Sequence, residues 1–367
     1  MTYNWELPDW PDFKYSLADI ETRLYAFALE TGEITGILKS LPTEVREASL
    51  LEVMLSEAIK TSEIEGEFLS RQDVMSSIRN NLGLNETNEP VRDQKSKGIG
   101  ALMVDVRKTY QEPLTFEKLW DWHKLLLGGS LRIRIGQWRS GEAPMQIISG
   151  SIGKEKIHFQ APPSERIAGE MTRFIQWFNE TAPDGIKPIS SAPVRAAIAH
   201  LYFETIHPFE DGNGRIGRAI AEKTLSQTLG RPVMMSLSRT IEADRKQYYS
   251  ALEEAQKGNE ITPWISYFAE VALLAQRESR QLIDFTLQKT HFFDSHKTQL
   301  NDRQTKVIQK MLEAGLKGFE GGMSAKKYMS VAKTSKATAT RDLQALVEIG
   351  VFEASGGGRS IRYELIL

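Results

Sequence analysis

Cysteine is absent from the 367 residues. That excludes disulfides, thiolate metal sites and cysteine nucleophiles together. No run approaches the roughly 18–20 apolar residues that a membrane span needs. The first eleven residues are polar and aromatic, with no apolar signal core. The expectation is a cytoplasmic protein with no membrane contact, in keeping with a reducing compartment. Strong net charge is lacking too: the formal value is −2, which gives no support to a chain that coats nucleic acid. Zinc-type spacing of His, Asp and Glu is missing, which disfavours a transition-metal enzyme. Internal repeats and low-complexity tracts are missing as well.

What is present is mostly helix. Apolar residues recur at three- and four-residue spacing over 17–38 and 44–76, the pattern of amphipathic helices. A turn-rich break follows at 80–90. Helices resume from Val91, and again from Thr115, where a capping sequence carries Lys118 in place of the usual acid. Residues 128–163 are rich in Gly, and short apolar strands at 145–148 and 156–159 read as a β-hairpin. Further helices are expected at 164–180, 192–206, 216–229, 245–256 and 262–287, with His291 and His296 in a linker. The tail reads as helices at 302–313, 324–331 and 335–349, then two strands around a glycine turn. This is the layout of a winged helix-turn-helix. From Lys297 onward eight Lys and four Arg face seven acids, so the tail carries +5 and the rest −7. The length suits two or three domains, expected at 1–95, 96–290 and 297–367.

The chemistry concentrates in His207-Pro-Phe-Glu-Asp-Gly-Asn-Gly-Arg-Ile-Gly-Arg218. Gly212 and Gly214 flank Asn213, so the backbone is free to adopt positive φ and turn its amides inward as an anion nest. The N-terminus of the next helix adds free N–H groups and partial positive charge. Arg215 and Arg218, three apart, share a face and suit phosphate oxygens. Asp211 stands where a carboxylate serves Mg²⁺ beside phosphates. His207 has the chemistry of a base for an attacking hydroxyl. Phe209 is expected to anchor the loop in the core. The set implies phosphate chemistry, and spacing alone leaves open which phosphate is attacked. Among the other histidines, His123 and His200 read as structural, and His158 as a backbone contact at most.

These twelve residues resemble the signature of the Fic (Fido) family, His-x-Phe-x-Asp/Glu-Gly-Asn-Gly-Arg-x-x-Arg, at every defined position. The resemblance implies a mainly α fold with a helical core, a small β-hairpin flap and an N-terminal helical region, followed by the C-terminal winged helix. It implies transfer of AMP from ATP to a Ser, Thr or Tyr hydroxyl of a protein. His207 is then the base and Asp211 the Mg²⁺ ligand. Gly212, Asn213 and Gly214 bind phosphates, Arg215 and Arg218 contact them, and Ile216 and Gly217 belong to the same segment. Tyr248, Tyr249 and Gln256 match the nucleoside side. The hairpin at about 145–160 resembles the flap that docks a target chain by strand addition. Gly136-Gln-Trp-Arg139 also resembles the family.

Thr61-Ser-Glu-Ile-Glu-Gly66 resembles the family's inhibitory motif. By that resemblance Glu65, with Thr61 and Gly66, pairs with Arg218 and excludes the γ-phosphate. Two other readings accompany it. One is removal of AMP from a modified protein, alone or beside the forward reaction. The other is an ATP-sensing transcriptional regulator, in which residues 297–367 bind DNA through Lys336, Thr338, Thr340 and Arg341, with Arg359 and Arg362 on phosphates. Protein docking by that tail is the alternative to DNA. Self-modification and a homodimer complete the expectations.

Overall fold

The computed structural model describes residues 2–130, 133–150, 156–315, 318–357 and 360–367. The hairpin turn at 151–155 and Arg359 lie outside the described residues. Two compact units emerge: Met1–Ser40 with Leu50–Ser279, and Leu41–Ser49 with Arg280–Leu367. No helix among the described residues is long and apolar enough to cross a membrane.

Helix α1 spans Glu21–Ser40 in the first unit, and α2 spans Thr43–Ile64, with residues 50–64 in that unit. The sequence pattern suggests one helix over 44–76, but the chain breaks after Ile64. Gly66 takes φ 77°, and Ser70 caps a new helix, α3 (Arg71–Leu82), by accepting from Asp73 N–H. Helices α4 (Gln94–Lys108) and α5 (Phe116–Leu127) follow. Thr115 does cap α5 through Lys118 N–H; the basic residue at that position does not prevent it. Strands β1 (Gln146–Ser149) and β2 (Lys156–Gln160) pair antiparallel, with a register shift between Ile147 and Ile148. Then come α6 (Ile167–Glu180), α7 (Ala192–Ile206), α8 (Asn213–Leu229), α9 (Leu237–Ala243), α10 (Arg245–Ala255) and α11 (Thr262–His296). The short α9 was not legible as periodicity. His291 and His296 lie on α11 instead of in a linker, because the helical pattern runs on without a breaker.

The centre of this unit is α7, buried at every residue. A helix apolar on all sides is one packed on all sides. Its Arg195 is fully buried and spends its donors on Phe178 O (2.7 Å), Gln227 Oε1 (2.9 Å), Thr181 Oγ1 (3.2 Å) and Thr228 Oγ1 (3.1 Å). A buried guanidinium so satisfied costs far less than a bare one. α8 packs along α7. The N-terminal segment fixes the flap's base: Trp5 Nε1–H donates to Gln160 O at 2.7 Å, and Asn4 N–H to Gln256 O at 2.8 Å.

The second unit runs through α12 (Asp302–Leu312), α13 (Ala325–Ala332) and α14 (Lys336–Glu348) to strands β3 (Phe352–Ser355) and β4 (Arg362–Leu365). This is the three-helix-then-hairpin order read from the sequence. Val307, Ile308, Tyr328, Leu343, Leu346, Val351 and Phe352 form its core. Asp342 is the polar tie, accepting from Arg303 at 2.9 and 3.2 Å and from Tyr328 Oη–H at 3.0 Å.

Candidate active site

Helix α7 ends at His207, which takes the left-handed conformation (φ 51°, ψ 60°) with its N–H on Phe203 O. A non-glycine residue there is uncommon and needs outside support. Arg139 supplies it. Its Nε–H donates to His207 O at 2.8 Å and its backbone N–H to Pro208 O at 2.8 Å, while Nη1 reaches Ser164 Oγ at 3.0 Å. Burial pushes the Arg139 guanidinium down to about 10, still a cation at neutral pH. Phe209 is fully buried, stacked on His123 with ring centroids 4.1 Å apart. Burying such a ring stabilises the loop by about 1.5–3 kcal/mol. His123 accepts from Gly136 N–H at Nδ1 (2.8 Å), so Nε2–H donates to Asp211 O at 3.2 Å. Its role is therefore to brace the loop.

Asn213 clips the same loop. Its Oδ1 accepts from Phe209 N–H at 2.9 Å and its Nδ2 donates to Phe209 O at 2.8 Å. Of the three motif glycines only Gly212 has positive φ, at 81°, as the cap of α8. Gly214 already lies in the first turn of α8, so that helix begins three residues before the sequence pattern suggests. Gly214 is needed for closeness: a Cβ on it would stand 2.2 Å from Glu65 Oε1. The first turn of α8 leaves N–H groups without helical partners, facing the space an anion takes.

His207 is 13% exposed, with Nδ1 3.7 Å from Glu204 Oε2. Burial, helped by Arg139, pulls its pKa from the ordinary 6.5 to about 4. It is a neutral imidazole at physiological pH, ready to accept a proton. Glu204 is buried, and burial raises its carboxyl to about 8.

Arg218 is 1% exposed. Its Nε–H donates to Thr61 Oγ1 at 2.7 Å, and Nη2 reaches Thr61 O at 2.9 Å and Glu65 Oε1 at 2.7 Å. Gly66, at φ 77°, turns the chain away just after this contact. Arg215 is equally covered, with Nη1 2.5 Å from Glu67 Oε2 and Nη2 3.6 Å from Asp211 Oδ1. Glu67 in turn accepts from Lys95 Nζ at 2.7 Å. Asp211 accepts from Gly212 N–H at 2.6 Å, and its side chain is 57% exposed.

A cavity of about 710 Å³ opens on some of these residues but not on Glu67, Asp211 or Gly212. Glu65, His207, Gly214 and Arg218 line one side, Tyr248, Tyr249 and Gln256 another, and Ile147, Ile148 and Ser149 of the hairpin a third. Tyr248 is buried, its hydroxyl 2.8 Å from His200 Nε2, whereas Tyr249 is 43% exposed. Asn213 and Arg215 do not line this cavity: the first is turned into the loop and the second is covered by Glu67. Ile216 is fully buried in the core, and its N–H is spent on Gly212 O, so its side chain has no route to a ligand.

Glu67, Arg139, Glu204 and Glu253 were not assigned roles from sequence. The His158 side chain reaches α10, with Nδ1 2.8 Å from Glu253 Oε2. No group of three or more His, Asp or Glu residues that could hold a metal ion occurs among the described residues.

Residues 113–225 match the model of the Fic/DOC family, and residues 3–84 match a domain of unknown function, DUF4172. The Protein adenylyltransferase Fic of Nematostella vectensis is 28% identical over 158 residues, covering 43% of this chain and 32% of that protein. Its namesake from Drosophila mojavensis is 29% identical over 178 residues, covering 48% and 30%. The match thus spans about a third of the length of these curated relatives. In fold, a Fic family protein from Desulfovibrio desulfuricans superposes with TM-score 0.54 at 19% identity, covering 97% of this chain and 98% of that one. A Fic domain containing signaling protein from Bacteroides thetaiotaomicron gives 0.53 at 19% identity, covering 71% and 97%. The motif, the helical architecture and the family match agree on the same part of the chain: residues 113–225 match the Fic/DOC family.

Proposed function

We propose that this chain transfers AMP from ATP to a protein hydroxyl, and that Glu65 holds the reaction off. The observation that carries the reading is one cavity shared by a neutral histidine, a helix N-terminus and a buried arginine already occupied by a carboxylate.

His207 takes the proton of the incoming hydroxyl, whose oxygen attacks the α-phosphorus of ATP. Pyrophosphate leaves with the electrons of the broken P–O bond. The first-turn N–H groups of α8 receive phosphate oxygens, and Arg218 receives the γ-phosphate once Glu65 has left. Tyr249 and Gln256 wall the nucleoside side. Asp211 suits Mg²⁺, because its carboxylate is more than half exposed beside the helix N-terminus, and Mg²⁺ characteristically takes one or two carboxylates with phosphates and water. When bound there, Mg²⁺ neutralises charge that develops on the phosphate oxygens. The exposed Ile147, Ile148 and Ile157 of the hairpin offer a target strand an apolar surface beside open backbone groups.

The test is to supply ATP labelled at the α- or the γ-phosphate. Label from the α-position, lost in His207→Ala, is expected on protein. Label from the γ-position alone, or none with Glu65 replaced by glycine, contradicts the reading.

A second role is favoured by the exposed Lys336 and Arg341 on α14: contact of residues 297–367 with DNA. A gel shift that weakens with salt supports it, and its absence dismisses it.

A further inference from the structure

Gly217, like Gly214, makes room for a carboxyl. A Cβ on Gly217 would collide with Glu204 Oε1 from α7, as a Cβ on Gly214 would with Glu65 Oε1. The two glycines stand three apart and share a face of α8. Two carboxyls therefore lie over one turn of that helix, beside Arg218. Both line the cavity with His207 and Arg218. Their ties differ. Glu65 is bound to Arg218 at 2.7 Å and stands just beyond the end of α2, before the turn at Gly66. Glu204 is 5% exposed, belongs to a helix buried at every residue, and leaves Oε1 without a hydrogen-bond partner. Its Oε2 lies 3.7 Å from His207 Nδ1. A buried polar atom left bare calls for an explanation, and here the bare oxygen belongs to a residue that lines the cavity.

A phosphate that takes the place of Glu65 on Arg218 arrives beside Glu204, which α7 holds still. As a carboxylate Glu204 would repel that phosphate. As a carboxylic acid it donates to it. The surroundings favour the acid: burial raises the carboxyl to about 8, against the pull of Arg218 and with the help of Glu65. A phosphate in place of Glu65 keeps negative charge there, so it keeps the acid protonated. The other titratable groups nearby stay neutral around pH 7. Burial raises Tyr248 well above its ordinary value and Tyr249 to about 12, both on α10. It lowers His200 and His207, both on α7, to about 4.

We propose that Glu204 is a phosphate-binding residue: as a neutral acid it donates a hydrogen bond to the phosphate that replaces Glu65 on Arg218. The proposal rests on the reading in which Arg218 receives that phosphate, and it leaves His207 as the base. Arg218 supplies the charge, and Glu204 adds a donor that Glu65 does not have to vacate. Loss of the Glu204 proton turns this donor into a repelling anion, so nucleotide affinity falls as the pH rises past its titration.

The experiment is calorimetry of full-length Glu65→Gly protein with Mg²⁺ and an ATP analogue whose α- and β-phosphates are joined by methylene, which cannot transfer AMP. Binding is expected to weaken about tenfold between pH 7 and pH 9.5, the scale of one hydrogen bond to a charged group. With Glu204→Gln added, which donates at every pH, the change over that range is expected to stay within about twofold. Glu204→Ala in the same background, its fold checked by circular dichroism, is expected to bind about tenfold more weakly than its parent at pH 7. An affinity that does not fall with pH, or falls equally in the Glu204→Gln protein, overturns this proposal alone. So does a folded Glu204→Ala protein that binds as well as its parent. Analogue binding that Arg218→Ala leaves unchanged overturns the reading of Arg218 as the seat of the phosphate, and this proposal with it.

Discussion

Glu65 Oε1 lies 2.7 Å from Nη2 of Arg218, inside the turn where a Cβ on Gly214 would collide with it. The carboxylate thus occupies both the arginine and the floor of the anion site. Arg218 is nearly fully buried and Glu65 only 30% exposed, so solvent screens this pair weakly. A group that must be displaced before phosphate enters raises the cost of binding without touching the base. Under the proposed function, this contact is what would hold the reaction site idle.

Glu67 extends that logic to the first arginine of the motif. It sits 2.5 Å from Arg215, while Lys95 holds its other oxygen. Glu67→Gln is expected to tighten ATP binding by about three- to tenfold, roughly 0.7–1.4 kcal/mol, as read by calorimetry. Weaker binding instead would mean that Glu67 orients Arg215 for the phosphate.

The depressed histidine sets the pH response. His207 titrates at about 4, below the ordinary value, so its basic form persists as the pH falls. Glu65 is among the groups that raise this value, so its removal does not move the limb upward. In Glu65→Gly protein the acid limb of kcat/KM is expected below pH 5. A limb near the ordinary histidine value contradicts the buried neutral base.

Glu204 gives a stability test. Its folded carboxyl is raised from the ordinary 4.5 to about 8. The folded state therefore binds its proton more tightly than the unfolded chain does. That contribution is fully present below about pH 4.5 and is lost as pH rises through about 8. Glu204→Gln stays neutral throughout. Its Tm is expected to gain on that of the unaltered protein between pH 5 and pH 8.5. A constant difference across that range contradicts the assignment.

The loop proposed as catalytic could be picked out because its candidate base, carboxylate, nest and arginines are contiguous between His207 and Arg218. The long helices were legible from periodicity, and α7 was bounded correctly at both ends. The break after Ile64 was not, because it depends on the positive φ of Gly66 and the cap at Ser70, while the apolar spacing continues across it. Arg139, Glu67 and Glu253 were beyond reach for a different reason. Each meets its partner across 68, 148 and 95 positions of chain respectively, and no local pattern encodes such a meeting. The contact of Glu65 with Arg218 was expected only because a motif resemblance named it.

The most direct test of the central claim compares AMP incorporation from labelled ATP by three proteins: the unaltered chain, Glu65→Gly and Glu65→Gly with His207→Ala. If Glu65 excludes phosphate from Arg218, the single variant labels at least about tenfold more than the unaltered chain, a release of about 1.4 kcal/mol. The double variant then falls back to little or nothing. Equal labelling by all three proteins would contradict the account.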